Sequence, residues 1–266
     1  MFREITLGQY YPASSVIHRL DPRVKLVGTL VYILSLFFYR SLPVYMIAVA
    51  FLAFIIVLSG VPFRFIVRGL RPVLILLLIT AVFNMFLTDG EPIFSFWRFR
   101  LTCEGMENAF YLCARLILLV LGSSMMTLTT TPNQLTDALE KLLGPLKRIR
   151  IPVHEIAMMM SIALRFIPIL IEETDKIMKA QMARGADFES GNLFKKVKAL
   201  VPLLVPLFVS AFRRANDLAM AMEARCYRGG EGRTKMKPLV YEKRDRAAYL
   251  VLLFYLVLSI ATGRFL

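Results

Sequence analysis

Two arginines at matching helix ends are the residues whose placement most clearly points to chemistry. Residues 175–185 and 216–226 align on Arg184 and Arg225, so that Ile177 matches Leu218, Ala180 matches Ala221 and Ala183 matches Ala224. The apolar matches recur at three- and four-residue spacings, which puts them on one helical face. Each pattern closes on an arginine between small residues: Ala183 and Gly185 in one copy, Ala224 and Cys226 in the other. An arginine there is an ordinary partner for the negative end of a helix dipole. Its repetition in one basic region also suits recognition, because a guanidinium offers a planar fork of donors to a carboxylate or to backbone carbonyls.

Covalent chemistry finds little support. There is no Gly-x-x-x-x-Gly-Lys-[Ser/Thr] phosphate loop, so ATP hydrolysis is not expected on this chain. Neither His-Glu-x-x-His nor Gly-x-Ser-x-Gly occurs, and His154-Glu155 lacks its second histidine. Glu172 and Glu173 point apart on a helix and fit pairing with Lys176 better than joint acid–base work. Cys103, Cys113, Cys226, His18 and His154 have no metal-ligand spacing. Catalytic residues, metal ligands and cofactors are therefore not expected on this chain.

The elements that must position the arginines belong to a membrane protein. Of the 266 residues, 57% are hydrophobic, too many for an ordinary soluble domain. The net charge of +14 reads first as a signal of membrane orientation. Nucleic acid is not an expected partner, since no recognition motif accompanies the charge. Residues 1–25 mix tyrosines with bases as interfacial segments do, and they lack the apolar core of a cleavable leader. Asp21 suits a helix N-cap, with Pro22 at the first helical position. Spans are expected at 24–39, 44–58, 72–87, within 106–130, and at 247–262; the first two are short for a perpendicular crossing. Residues 88–105 read as a polar connection, and Arg115 as a snorkelling side chain. Bases number four in residues 1–25, three in 60–71 and 21 in 131–246. Opposite these stand one in 40–43, two in 88–105, and Arg264. The alternation predicts a multi-pass protein of the cell membrane, with the N-terminus and residues 131–245 cytoplasmic and the C-terminus outside.

Thr131, Pro132 and Gln134 predict a capping box opening a helix over 132–143, which Gly144-Pro145 ends. Its stripe of Leu135, Leu139, Leu142 and Leu143 would lie on a membrane or a partner. Residues 153–171 and 199–212 are apolar but carry Pro168, Pro202 and Pro206. Hydropathy alone admits a crossing hairpin here. The prolines and the surrounding charges favour two long, kinked helices at the cytoplasmic face. Eight of the 14 methionines lie between Met158 and Met236. Met158, Met159 and Met160 span most of a helix circumference, and a thioether adapts either to a core or to differently shaped partners. The expected fold is an all-α polytopic membrane protein. It has about five transmembrane helices in 1–130 and 246–266, with amphipathic and long kinked helices in 131–245.

The chain resembles the transmembrane T component of energy-coupling factor transporters. Residues 15–25, with Ser15, His18, Asp21, Pro22 and Lys25, resemble that family's opening signature. Ala183-Arg184-Gly185 and Ala224-Arg225-Cys226 resemble its paired Ala-Arg-Gly motifs. Cys226 stands where glycine is expected; cysteine lacks glycine's ease at positive φ, so a different helix end is expected there. The resemblance implies a non-catalytic scaffold for uptake of vitamins or other micronutrients. Its two motif helices would be coupling helices, each docking on one of two ABC-type ATPases, where ATP and Mg would be bound. Ala183, Arg184, Gly185, Ala224, Arg225 and Cys226 would form those contacts. Met158, Met159, Met160, Leu203 and Leu207 would face a separate small substrate-binding S component in the bilayer. The rival reading is a self-contained secondary transporter or channel. It would need a polar site between spans, for which Asn84 and Arg115 are the main candidates.

Overall fold

The computed structural model describes residues 10–39, 41–87, 92–96, 99–186, 188, 193–230, 236 and 238–265. Nine α-helices are formed by these residues: α1 (Pro22–Phe38), α2 (Leu42–Ser59), α3 (Phe63–Arg68), α4 (Arg71–Leu87), α5 (Cys103–Thr129), α6 (Pro132–Leu142), α7 (Val153–Ala183), α8 (Leu193–Ala224) and α9 (Lys243–Phe265). The fold is thus the expected all-α polytopic type. One addition lies in the stretch read as a polar connection: strands β1 (Pro92–Phe96) and β2 (Phe99–Thr102) form a short antiparallel hairpin, with Ser95 opposite Arg100. Its alternation is too brief to register above the turn residues around it.

The helix boundaries follow local chemistry. Asp21 accepts from the Arg23 backbone N–H at 2.8 Å, capping α1 with Pro22 in its first turn. Thr131 and Gln134 form the reciprocal capping box at α6: Gln134 accepts from the Thr131 N–H at 3.1 Å, and Thr131 Oγ1 accepts from the Gln134 N–H at 3.3 Å. A 3-10 turn over Gly144–Ile149 follows.

Among the described residues, four helices are long and apolar enough to cross a membrane: Leu42–Ser59, Glu104–Thr129, Val153–Ala183 and Lys243–Arg264. A shorter apolar helix, Arg71–Phe86, joins them. The first half of α7 therefore reaches the length and hydropathy of a span as well.

Backbone packing divides the chain into two compact units, residues 10–142 with 239–265 and residues 143–238. The first is a bundle. Its core joins Tyr32 and Leu36 of α1, Tyr45, Ala48 and Leu52 of α2, Leu118, Met125 and Leu128 of α5, and Tyr255 of α9. Ser35 and Tyr255 share a hydrogen bond of 2.6 Å inside it. Arg115 donates from Nε to the Tyr45 hydroxyl at 3.0 Å, and its guanidinium lies 5.5 Å from the Phe37 ring centroid. That polar and aromatic company lets a cation sit within a span.

The second unit is dominated by α7 and α8. Glu173 of α7 reaches across to Arg214 of α8 at 2.9 Å. Pro206 has no N–H to donate to the Pro202 carbonyl one turn earlier. Gln181 of α7 donates to that carbonyl instead, at 3.3 Å. The pairs 173/214 and 181/202 run in opposite senses, so the two helices are antiparallel.

Candidate functional site

The two arginine-bearing ends have the same geometry, down to their hydrogen bonds. Helix α7 ends at Ala183 with Arg184 as C-cap, and Gly185 follows at φ 88°. The Gly185 N–H donates to the Met182 carbonyl at 2.9 Å and the Ala186 N–H to the Gln181 carbonyl at 3.0 Å. Helix α8 ends at Ala224, and Cys226 follows Arg225 at φ 54°. The Cys226 N–H donates to the Glu223 carbonyl at 2.8 Å and the Tyr227 N–H to the Met222 carbonyl at 3.0 Å. Both are Schellman closures, with paired 5→2 and 6→1 bonds. The expectation of a different end at Cys226 is thus overturned: cysteine takes the left-handed conformation that glycine takes in the first copy. The two 5→2 and 6→1 bonds and the small side chain hold it there, against a steric cost of about 1–2 kcal/mol.

Ala183, Arg184, Gly185, Ala224, Arg225 and Cys226 are all exposed. The structure brings each triplet together at a helix tip and keeps the two triplets apart. Gln181 is level with Pro202, which places Arg184 near residue 199 of α8, about 26 residues before Arg225. At 1.5 Å per helical residue the two tips are roughly 40 Å apart along the pair. Small residues on both sides of each arginine leave the tip narrow, a shape that suits insertion into a groove.

Of the methionine cluster, Met159 (58% exposed) and Met160 are on the surface and Met158 is half-buried. Leu203 is buried at 6% exposure and Leu207 half-buried, while Leu204, Val205, Phe208 and Phe212 of α8 are exposed. Phe208 and Phe212 contact one another with ring centroids 5.4 Å apart. This outward stripe was missed in the sequence, where Pro202 and Pro206 blur the helical period that would have separated it from Leu203.

Residues 15–25 form a second constellation, in the bundle. The Asp21 backbone N–H donates to Asp245 Oδ1 at 2.8 Å, and Asp245 Oδ2 accepts from the Glu242 N–H at 2.7 Å. Arg23 pairs with Asp21 at 2.7 Å and its guanidinium lies 3.8 Å from the Tyr241 ring centroid. Lys25 is buried; its Nζ donates to the Thr129 carbonyl at the end of α5 (2.8 Å) and to the His18 carbonyl (3.2 Å). His18 accepts the Ser15 hydroxyl at Nδ1 (2.7 Å) and donates from Nε2 to the Tyr11 carbonyl (3.0 Å). Burial pushes the His18 imidazole below its ordinary value, and nearby Lys25 adds to this. The Asp21 carboxyl is raised by burial, but the Arg23 hydrogen bonds outweigh that and hold it below the usual carboxylate range. This stretch therefore ties the ends of α1, α5 and α9 together.

Comparison with known proteins gives the family. A model of the cobalt transport protein family, CbiQ, matches residues 13–236. An energy-coupling factor transporter transmembrane protein EcfT of Clostridium kluyveri is 55% identical over 263 residues, 98% of this chain and 97% of its own. The protein of that name from Thermosediminibacter oceani is 53% identical over 248 residues, covering 93% and 94% of the two chains. The one from Bacillus subtilis is 46% identical over 254 residues, covering 95% and 96%. The chain carrying these two arginine-ended helices and this bundle belongs to the EcfT family, the transmembrane components of energy-coupling factor transporters.

Proposed function

We propose that this chain is the mechanical link of an ATP-driven importer of vitamins or other micronutrients. Two ABC-type ATPases bind ATP and Mg and move; α7 and α8 are coupling helices that pass the motion to a separate substrate-binding S component in the bilayer. This chain is the non-catalytic member. The observation that carries the reading is the repeated tip: the same Schellman closure presents an exposed arginine at each end of an antiparallel pair. Tips roughly 40 Å apart suit two separate nucleotide-binding subunits better than one. Arg184 and Arg225 would each give a bidentate contact in a groove, with Ala183, Gly185, Ala224 and Cys226 allowing close approach.

Length and apolarity alone would let α7 cross the membrane. We favour α7 and α8 at the cytoplasmic face, because Arg165, Pro168, Pro202 and Pro206 interrupt both apolar runs. Their exposed apolar side chains then need a protein or lipid partner. Met158, Met159, Met160 and Leu207, with the adjoining Phe208 stripe, supply that face for the S component, and Leu203 shapes it from within. In this reading the N-terminus and residues 131–245 lie in the cytoplasm and the C-terminus outside, and the distribution of bases supports that orientation.

The test is co-purification from membranes with a pair of co-expressed ABC-type ATPases, for wild type and for Arg184→Ala/Arg225→Ala. The wild type should bring down both ATPases, and the double variant should insert normally but lose them. A complex retained in the double variant would move the key contacts elsewhere.

A further inference from the structure

We propose that the bundle holds an anionic phospholipid, its acyl chain in the cavity between α1, α2, α5 and α9 and its phosphate at Arg244. The cavity measures about 310 Å³. That is the lower end of the size range of built ligand sites. Val24, Phe51, Leu52, Met125 and Leu252 are among the apolar side chains around it. Along α9 it runs from Arg244 to Leu252, about 12 Å by the helical rise, a length that takes most of an acyl chain.

The space has a structural cause. Gly28 of α1 and Ala247 and Ala248 of α9 line it. A β-carbon at Gly28 would meet only Leu252 Cδ1, at 3.9 Å. A glycine in mid-helix costs stability relative to alanine, and an unfilled apolar cavity costs more. A lipid tail restores the missing contacts. Val16, Phe54 and Val251 line the cavity and are also exposed, so its opening meets bilayer chains.

Charge selects the headgroup. Residues 10–25 and 242–246 hold six bases (Arg19, Arg23, Lys25, Lys243, Arg244, Arg246) and three acids. All three acids are engaged within the fold. Asp21 binds Arg23, Asp245 accepts from the Asp21 and Glu242 backbone, and Glu242 takes Arg244 Nε at 3.1 Å and Nη2 at 2.5 Å. The pair with Glu242 leaves Arg244 Nη1 for a phosphate, and the unbalanced bases around it favour a lipid of negative charge. Asn84 and Arg115, the polar residues a stand-alone transporter would use, do not line this cavity.

The test uses the full-length chain in phosphatidylcholine nanodiscs containing phosphatidylglycerol with a photoactivatable mid-chain group, labelled positions being read by peptide mass spectrometry. Label is expected on α1 and α9 around Gly28 and Leu252, and about fivefold less from the matched phosphatidylcholine probe. Gly28→Leu fills the cavity and should remove the label about tenfold, whereas Gly28→Ala should keep most of it. Arg244→Gln should reduce the preference for the anionic probe toward parity. If Gly28→Leu does not insert, Ala248→Leu fills the same space from α9 and is read identically. Label indifferent to cavity filling, or equal from the two lipids, would overturn the proposal. So would label lost when the partner subunits are co-assembled, which would assign the cavity to a polypeptide.

Discussion

The bundle and the α7–α8 pair use similar side chains for opposite purposes. In the bundle, apolar residues face inward: Leu36, Ala48 and Ile66 are fully buried, and polar ends are tied by Asp21, Lys25 and Asp245. The pair is built of helices of 31 and 32 residues. Its buried apolar residues, among the side chains described, are Val153, Ala157 and Leu203, while Met159, Val205, Phe208 and Phe212 are left outside. The two helices are held by Glu173–Arg214, the Gln181 hydrogen bond and a thin apolar seam. The contrast separates a part whose apolar side chains close a core from one whose apolar side chains face outward.

The largest expected effect tests the proposed coupling role without touching the pair's fold. Removing both arginines should abolish ATPase capture, each single change weakening it by roughly 30-fold if the arginine anchors its groove. Both tips are exposed, so the thermal unfolding of the chain alone should stay within about 0.5 kcal/mol of wild type. A matched pair of core and surface changes comes next. Leu36→Ala, at a fully buried site, should cost about 2–5 kcal/mol in the isolated chain. Phe208→Ala, at 67% exposure, should leave that stability within about 0.5 kcal/mol and instead reduce capture of the substrate-binding subunit. The reverse pattern, with Phe208 stabilising the lone chain, would mean that the pair has a core of its own.

Much of this division was legible in the sequence, because it rests on period and charge. The N-cap at Asp21, the box at Thr131 and Gln134, and the alignment of Arg184 with Arg225 all involve neighbours within a few residues. The hairpin of β1 and β2 was not legible, nor was the partner of Glu173. The first is too short for its alternation to stand out. The second joins residues 41 apart on two helices whose register only the structure sets. Reading Lys176 as the partner of Glu172 and Glu173 followed the local i, i+4 rule. Tertiary packing gave Glu173 a cation on the facing helix instead. The opening signature was recognisable as a pattern, yet its work could not be read. His18, Lys25 and Asp245 meet groups as far as 224 residues away.

The two tips allow a finer comparison, since one has glycine and the other cysteine at the same backbone position. Cys226→Gly should stabilise the second unit by about 1 kcal/mol, relieving a β-carbon at positive φ. Gly185→Ala should destabilise it by a similar amount, although nothing lies within 4 Å of the added carbon. Denaturant unfolding of the full chain measures both. If Cys226→Gly also leaves ATPase capture unchanged, the cysteine is there as a tolerated substitute. A loss of capture would give the thiol a contact of its own.

The smallest effect sits in the bundle and concerns pH. His18 holds Ser15 and Tyr11 as a neutral imidazole, and its folded value is lowered by burial, so the folded state binds fewer protons than the unfolded one just below the ordinary histidine value. Its stabilising contribution is complete above that ordinary value, about 6.5, and is lost progressively as pH falls from there toward the folded value. The thermal midpoint of the chain should therefore decline on acidification through this window, and His18→Gln should flatten that part of the profile. Asp21 contributes in the same direction at lower pH. Its folded value is depressed, so its contribution is present above the usual carboxylate value and is lost below it. A profile in which His18→Gln leaves the decline intact and Asp21→Asn removes it would place the acid sensitivity of the α1, α5 and α9 junction on the carboxylate alone.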